Sequence, residues 1–270
     1  MLSKNKIKYI RSLEHKKYRT ATSSFVAEGY KVVADLLPAF RCKCLVATSE
    51  WLDSNAAILA SLGFSPHPSG RLDFSTTDTE IHVVTDEELR KVSFQETPQQ
   101  VLAVFQQPQW SADISHIAKH SLCLALDDVQ NPGNLGTIIR LADWFGIEHV
   151  FCSRNSADIF NPKTIQATMG AIARVQVHYI DLPSVLATID SSTPIYGTSL
   201  DGDSIYTKSL TPHGLIIMGN EGKGVSAAVK TFVTEQLYIP NYPQDRPTSE
   251  SLNVAIATAI VCAEFRRRSV

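Results

Sequence analysis

Apolar runs and helical patterns alternate along the rear part of the chain. Short apolar runs, typical of buried strands, are separated by segments whose apolar residues recur every three to four positions. The predicted strands are Leu122–Leu126, His149–Cys152, Val175–Tyr179, Ile195–Thr198, Leu215–Met218 and Leu237–Ile239. The predicted helices are Asn134–Phe145, Pro162–Ala171, Leu182–Ile189, Ser226–Val233 and Ser251–Arg267. This alternation predicts an α/β domain with a mostly parallel sheet and helices on both faces.

The front part of the chain alternates helices and strands over a shorter span. Its predicted helices are Lys4–Lys17, Glu28–Leu37, Trp51–Leu62 and Asp86–Val92, and its predicted strands are Cys44–Ala47, Ile81–Val84 and Val101–Phe105. Residues Ser65–Thr79 are rich in Ser, Thr and Pro, which predicts a surface loop. Gln106–Gln109 interrupts the pattern, and Trp110–Lys119 is a weakly patterned connector. We therefore predict a small α/β domain at residues 1–107, a linker at 108–119 and a second domain at 120–270.

The charge of the chain is small overall but unevenly placed. Formal net charge is -2 over 270 residues, so the chain as a whole is not a basic nucleic-acid binder. The first twenty residues nevertheless carry one acidic residue, Glu14, against the basic residues Lys4, Lys6, Lys8, Arg11, Lys16, Lys17 and Arg19. This asymmetry is compatible with contact to a polyanion or with a solvated basic helix.

Several classes of protein are disfavoured by the composition. The five cysteines are scattered, and Cys42-Lys43-Cys44 has no second Cys/His pair at ligand spacing, so we predict reduced thiols and no metal site. The N-terminus has no apolar segment of the kind found in signal peptides, and no stretch reaches the roughly 18 apolar residues of a membrane span. We expect a cytoplasmic protein without a membrane segment.

Three unusual loops follow predicted strands, at the edge where parallel sheets bind ligands. The first, Asn131–Arg140, has Asn134 as its expected helix N-cap and a glycine, Gly136, in the first helical turn. Arg140 stands among apolar residues and needs a partner, either Asp143 three positions later or a bound ligand.

The second loop, Met218–Gly224, is rich in glycine but is not a Walker phosphate loop, and Glu221 would repel a phosphate. It suits a neutral, hydroxyl-bearing or cationic ligand, although a simple tight turn is equally open. In the third loop, Ile239 to Asn253, Ser251 is the expected N-cap of a nearly all-apolar helix that is predicted to be buried or packed on another subunit. Asn253 would need polar partners there, or serve only as a cap.

Taken together, the three loops resemble the SpoU (TrmH-type) RNA ribose methyltransferases. The resemblance rests on Asn-Pro-x-Asn-x-Gly-x-x-x-Arg at Asn131–Arg140, Gly-Asn-Glu-Gly-x-Gly at Gly219–Gly224, and Ile-Pro followed by Ser-Leu-Asn-Val-Ala at Ser251–Ala255. Met169-Gly170-Ala171 is similar to the family's middle segment, and residues 7–37 are similar to the ribosomal-protein-like RNA-binding domain of many members. In one place the chain departs from the family: Asn241–Glu250 is longer and lacks the usual Met and Gly.

The resemblance implies a fold and a function that periodicity alone does not. It implies a C-terminal trefoil knot, a homodimer, S-adenosylmethionine as cofactor and methylation of a ribose 2′-hydroxyl in RNA, with rRNA favoured over tRNA. An RNA-binding protein that kept the fold and lost the reaction is the alternative. Residues implied at the cofactor are Thr198, Met218, Gly219, Asn220, Gly222, Ile239, Pro240 and Leu252, those implied in catalysis are Arg140, Asn131, Glu221, Ser251 and Asn253, and the RNA-binding candidates are Lys6, Arg11, Lys16, Lys17 and Arg19.

The resemblance gives Arg140 the role of catalytic base. A guanidinium hardly loses its proton in proteins, so orienting the hydroxyl and stabilising the developing alkoxide is the physically easier role.

Overall fold

The structure is a computed structural model that describes residues 2–61, 63, 65–66, 72–73, 79–243, 249 and 251–268. Along the first part of the chain the elements are α1 (Lys4–Ser12), α2 (Lys16–Thr22), β1 (Ser24–Glu28), α3 (Tyr30–Leu36), β2 (Cys42–Ala47), α4 (Ser49–Ser54), α5 (Ala56–Ser61), β3 (Ser65–Pro66), β4 (Leu72–Asp73), β5 (Glu80–Val83), α6 (Asp86–Arg90) and β6 (Val101–Gln106).

The second part of the chain continues the alternation. Its elements are α7 (Ile114–His120), β7 (Leu122–Leu126), α8 (Pro132–Trp144), β8 (His149–Ser153), α9 (Pro162–Thr168), a 3₁₀ turn (Ala171–Ala173), β9 (Gln176–Ile180), α10 (Leu182–Leu186), β10 (Ile195–Ser204), β11 (Gly214–Met218), α11 (Ala227–Lys230), β12 (Glu235–Tyr238) and α12 (Val254–Arg267).

Residue contacts divide the chain into two compact units. The first contains Met1–Gln109 together with Phe160–Ala173, and the second contains Trp110–Ile159 and Arg174–Val270. The segment with α9 belongs to the first unit by its contacts, although the chain order places it within the second predicted domain. Its Phe160 ring lies 5.0 Å from the ring of Phe25 on β1, a buried aromatic contact that periodicity cannot reveal.

The first unit is built on a four-stranded sheet with the order β1-β6-β2-β5. Strands β1 and β2 both run antiparallel to β6, and β5 runs parallel to β2. The predicted strand and helix types at α3, β2, β5, α6 and β6 are confirmed, and Thr85 caps α6 with a full capping box.

Three predictions in the first unit are wrong, and one falls largely outside the described residues. The predicted single helix Lys4–Lys17 is two helices, because the chain turns between Leu13 and His15. The predicted helix Trp51–Leu62 likewise breaks at Asn55. No strand was predicted between the first two predicted helices, yet β1 lies there and its five residues are all buried. Most of the predicted loop Ser65–Thr79 lies outside the described residues.

The second unit has a six-stranded sheet with the order β12-β10-β11-β7-β8-β9 and parallel pairing throughout. The predicted α/β class with a parallel sheet is therefore confirmed. The expected connector Trp110–Lys119 is wrong in part, since it contains α7, which buries Ile114 and Ala118 against the sheet. Strand β10 is longer than predicted, because after a register shift between Thr198 and Asp203 it pairs again with β12.

Two helices of this unit begin at residues other than those expected. Asn131, not Asn134, caps α8, and Asn253, not Ser251, caps α12. In both cases the cap side chain accepts two backbone N–H bonds from the following turn, which leaves the predicted cap residue free for other contacts. The family's knot remains an implication of the resemblance.

Candidate functional site

A cleft of about 570 Å³ opens at the carboxyl ends of β10, β11 and β12 in the second unit. Such a volume lies within the usual range for small-molecule sites. Seven of the eight predicted cofactor residues line it: Thr198, Met218, Gly219, Asn220, Gly222, Ile239 and Leu252. The eighth, Pro240, is not among the lining residues. Leu200 and Asp201, from the unpredicted extension of β10, also line the cleft, and only the register shift of that strand brings them there.

The glycine loop that forms one wall of the cleft is closed on itself. The backbone N–H of Asn220 donates to Gly224 O at 3.0 Å, and the N–H of Gly224 donates back to Asn220 O at 2.9 Å. A Cβ on Gly219 would lie 2.2 Å from the carbonyl carbon of Gly224. Glycine is therefore required at this position by the close approach of the loop's own backbone.

Polar side chains fix this loop to the neighbouring strand end. The Asn220 side chain donates to Asp128 O at 2.9 Å and accepts from the N–H groups of Gly222 and Lys223. Buried Asp127 accepts from Ser226 N at 2.7 Å. Asp127 follows β7, so its role as an anchor of the glycine loop after β11 depends on the pairing of these two strands.

An amide-carboxylate network joins the three sequence motifs. Asn134 Nδ2 donates to Glu221 Oε1 at 2.6 Å, and Asn253 Nδ2 donates to Asn134 Oδ1 at 3.1 Å. Asn131 lies beside this network as the cap of α8. Asn134 is thus the bridge between the loops, a role that the sequence interpretation missed because it assigned the residue to helix capping.

The remaining predicted catalytic residues are placed as follows. Ser251 lines the cleft and is exposed, without the expected capping role. Arg140 is exposed on α8, and it does not line the cleft. Its expected local partner, Asp143, is engaged instead by Arg174 through two bonds of 2.8 and 2.7 Å. Within the described part of the chain, Arg140 has no ion-pair or hydrogen-bond partner. Asp143 as its partner is therefore wrong, because a bidentate arginine pair satisfies that carboxylate.

The predicted RNA-binding residues of the first unit differ in exposure. Lys16 and Lys17 are exposed. Lys6 forms an ion pair with Glu80. Arg19 is 2% exposed and donates to the carbonyls of residues 13 and 14 at 2.9 and 2.6 Å. Its assignment to an RNA surface is wrong, because a buried guanidinium that hydrogen-bonds the backbone of the turn between α1 and α2 has a structural role.

A possible metal-ligating group lies apart from the cleft. Ligand atoms of Cys44, Glu80 and His82 lie within 4.8 Å of one another. The Lys6 ammonium already compensates the charge of Glu80, and burial raises the pKa of the Cys44 thiol to about 11. A neutral thiol is a poor metal ligand, so this arrangement supports no metal centre. Among the described residues, no helix is both long enough and apolar enough to cross a membrane.

Helices α8 and α12 of the second unit pack together, and both carry exposed apolar residues. Trp144, the last residue of α8, is 83% exposed, and Ile256 on α12 is 54% exposed. Leu252, just before α12, is 47% exposed. Ala263 is exposed on the same face of α12 as Ile256, two turns along the helix. Large apolar side chains exposed on neighbouring helices are typical of an interaction surface.

Comparison with known proteins gives two family matches that together span most of the chain. Residues 121–263 match the SpoU rRNA Methylase family, and residues 4–103 match the MRM3-like substrate binding domain. A 23S rRNA (guanosine(2553)-2'-O)-methyltransferase of Bacillus subtilis is 32% identical over 97% of this chain and 96% of its own length.

Solved structures agree with these matches. A protein of Porphyromonas gingivalis described as an RNA methyltransferase of the TrmH family has a TM-score of 0.83 and 40% identity, with 99% of each chain covered. An AdoMet-bound rRNA methyltransferase from Sinorhizobium meliloti has a TM-score of 0.80 and 27% identity, with 100% of this chain and 98% of that one covered. The protein is therefore a member of the SpoU rRNA methylase family.

Proposed function

We propose that this protein is an S-adenosylmethionine-dependent RNA methyltransferase that modifies a ribose 2′-hydroxyl of ribosomal RNA. The observation that carries the proposal is the network in which Asn134 joins Glu221 and Asn253 at the mouth of the cleft. It brings together residues from all three motifs, which are far apart in the sequence. The Bacillus subtilis and Sinorhizobium meliloti relatives are named as rRNA methyltransferases, and the Sinorhizobium meliloti structure holds AdoMet.

The cleft has the chemistry that an adenosine-containing cation needs. Apolar side chains of Met218, Ile239 and Leu252 supply walls for an adenine ring, and the loop backbone supplies polar groups for a ribose. Glu221 lines the same cleft and contributes negative charge, which favours a sulfonium over an anion. When bound, the cofactor supplies an electrophilic methyl group.

The residues outside the cleft then act on the RNA. A secondary hydroxyl is a poor nucleophile unless its developing negative charge is stabilised. Arg140 lies on α8 roughly 9 Å along the helix axis from Asn134, is exposed, and has no internal partner within the described residues. Its guanidinium is free to contact an RNA phosphate and to stabilise the alkoxide. Positioning of the hydroxyl relative to the methyl donor then supplies most of the rate enhancement.

A substitution of Arg140 separates binding from turnover. For Arg140→Ala we expect unchanged binding of S-adenosylhomocysteine by calorimetry and a loss of methyl transfer to rRNA of about 100-fold or more, the magnitude of one lost oxyanion stabiliser. Arg154→Ala, which removes another exposed arginine of the same unit, is the matched control. Unchanged turnover in Arg140→Ala contradicts the role. If the unsubstituted protein does not bind S-adenosylhomocysteine at millimolar concentration, a non-catalytic RNA-binding role replaces the proposal.

The exposed face of α8 and α12 is proposed to pair with a second copy of the chain. A partner copy would cover the exposed apolar side chains of Trp144 on α8 and Ile256 on α12, and the small residue Ala263 on α12 allows close helix packing at an isologous interface. Ile256→Glu is expected to convert a dimer into a monomer by light scattering after size-exclusion chromatography. Val83→Glu changes an equally exposed apolar residue, 50% exposed in the first unit, and should leave the dimer intact. A monomeric unsubstituted protein would refute the pairing.

The first unit is proposed to bind the RNA through Lys16 and Lys17, whose exposed charges give salt-dependent affinity. Since the substrate is ribosomal RNA, we place the protein in the cytoplasm.

A further inference from the structure

A second cavity, of about 290 Å³, lies within the first unit. It is lined by Val26 and Glu28 of β1, by Phe94 and Gln95 of the segment after α6, and by Lys163, Gln166 and Ala167 of α9. This volume lies at the lower end of the range for small-molecule pockets, so the cavity has room for a single nucleobase.

Glu28 gives this cavity an unusual buried acceptor. The residue is 6% exposed, and burial raises the pKa of its carboxyl group. One oxygen accepts from Ser93 Oγ at 2.5 Å and the other accepts from Phe94 N at 2.7 Å. A carboxylate has about four lone-pair positions, so each oxygen can accept one more bond. A ligand with two adjacent N–H donors would use both.

The side walls supply stacking and further polar groups. The Arg11 guanidinium lies 4.8 Å from the centroid of the Phe94 ring and donates to Ser93 O, which holds the ring segment in place. Gln95 Nε2 donates to Gln166 Oε1 at 2.8 Å. This bond uses the Gln166 carbonyl as acceptor, so it leaves the side-chain carbonyl of Gln95 and both N–H groups of the Gln166 amide for a ligand.

We propose that this cavity binds one unpaired guanine base of the RNA, with Glu28 accepting from guanine N1–H and the N2 amino group while Phe94 packs against the ring. Guanine is the standard base with two adjacent donors on its Watson–Crick edge. Splayed bases held on aromatic side chains are the usual mode of single-stranded RNA recognition. Exposed Lys163 at the rim is placed to contact a flanking phosphate. That the guanine belongs to an RNA, and not to a free nucleotide, rests on the proposed function.

The test measures binding of the full-length protein to the pentaribonucleotides UUGUU, UUAUU and UUIUU, where I is inosine, and to GMP, by fluorescence anisotropy and competition. We expect UUGUU to bind at least about fivefold more tightly than UUAUU, the lower limit for a bidentate base contact. UUIUU, which lacks the N2 amino group, should bind more weakly than UUGUU. GMP should bind at least tenfold more weakly than UUGUU, and equal affinity of the two would overturn the RNA source.

Variants connect this preference to the cavity. Glu28→Gln should remove the preference for UUGUU. Ala167→Phe fills the cavity from α9 without removing a hydrogen bond, so it tests the site even if Glu28→Gln fails to fold. Lys91→Ala, an exposed lysine of the same unit that does not line the cavity, should keep the preference.

Failure of this inference is distinguishable from failure of the proposed function. Equal binding of UUGUU and UUAUU by the unsubstituted protein, or a preference retained in Ala167→Phe, overturns the guanine site. If methyl transfer persists in that case, the proposed function stands. A guanine preference in a protein that does not bind S-adenosylhomocysteine supports the site and rejects the enzyme.

Discussion

Asn134 is the residue whose removal should most directly separate the fold from the activity. Its side chain donates to Glu221 Oε1 at 2.6 Å and accepts from Asn253 Nδ2 at 3.1 Å, while the cap of α8 is provided by Asn131. Asn134→Ala therefore removes both bonds between the motifs but leaves the helix start intact. Asn134→Asp keeps the shape, loses the donor and places a second negative charge beside Glu221.

The expected size follows from the two bonds. A hydrogen bond to a charged group contributes about 1.5–3 kcal/mol, and a neutral bond about 0.5–1.5 kcal/mol. Because the Glu221 contact is only partly buried and the Asn253 contact is exposed, we use the lower part of these ranges, about 2–3 kcal/mol in total. If the network serves the transition state, kcat/KM for methyl transfer should fall about 30- to 150-fold in Asn134→Ala. Asn134→Asp should lose at least as much.

The assay measures transfer of a labelled methyl group to rRNA, with the urea midpoint of each variant measured in parallel. Gln130→Ala is the matched control, since it removes one exposed bond, from Gln130 Nε2 to Asp128 Oδ1 at 2.9 Å, from the same loop. Turnover of Asn134→Ala within twofold of the unsubstituted protein would refute the reasoning. An equal loss in Gln130→Ala would show that the loop, and not the network, is responsible.

Two further predictions concern stability. Burial, together with neighbouring His149, lowers the pKa of His178 to about 4 from its ordinary 6.5. As the pH falls, the imidazole of the unfolded chain is therefore protonated before that of the folded chain. The free energy of unfolding should fall by up to about 3 kcal/mol between pH 6.5 and 4. In His178→Phe, the urea midpoint should change less with pH across that window. Arg19→Met should lower the free energy of unfolding by about 2–4 kcal/mol, because two carbonyls, one in a buried and one in a partly buried hydrogen bond, lose their donor. The RNA affinity of Arg19→Met, measured by filter binding at low urea, should not change. A loss of RNA affinity without a loss of stability would contradict the structural role of Arg19.

The order of elements and the location of the cleft were readable from the sequence because both depend on local patterns. Strand β7 was predicted at its observed bounds, and its apolar run is buried at every position. The loops after parallel strands converge at one sheet edge, so seven of eight predicted cofactor residues line one cleft. The resemblance of three motifs to one family added the chemistry that such patterns do not contain.

Tertiary structure alone decided which partner each polar side chain takes. Sequence spacing favoured Asp143 as the local partner of Arg140, yet Asp143 binds Arg174. It also favoured a capping role for Asn134, whose side chain instead joins Glu221 to Asn253. The same holds for burial: Arg19 reads as one of several basic residues, and only its position behind the turn after α1 makes it internal. Local sequence sets which bonds are possible within a few residues. Folding selects among them, because bonds between distant residues are decided by which strands and helices pack together.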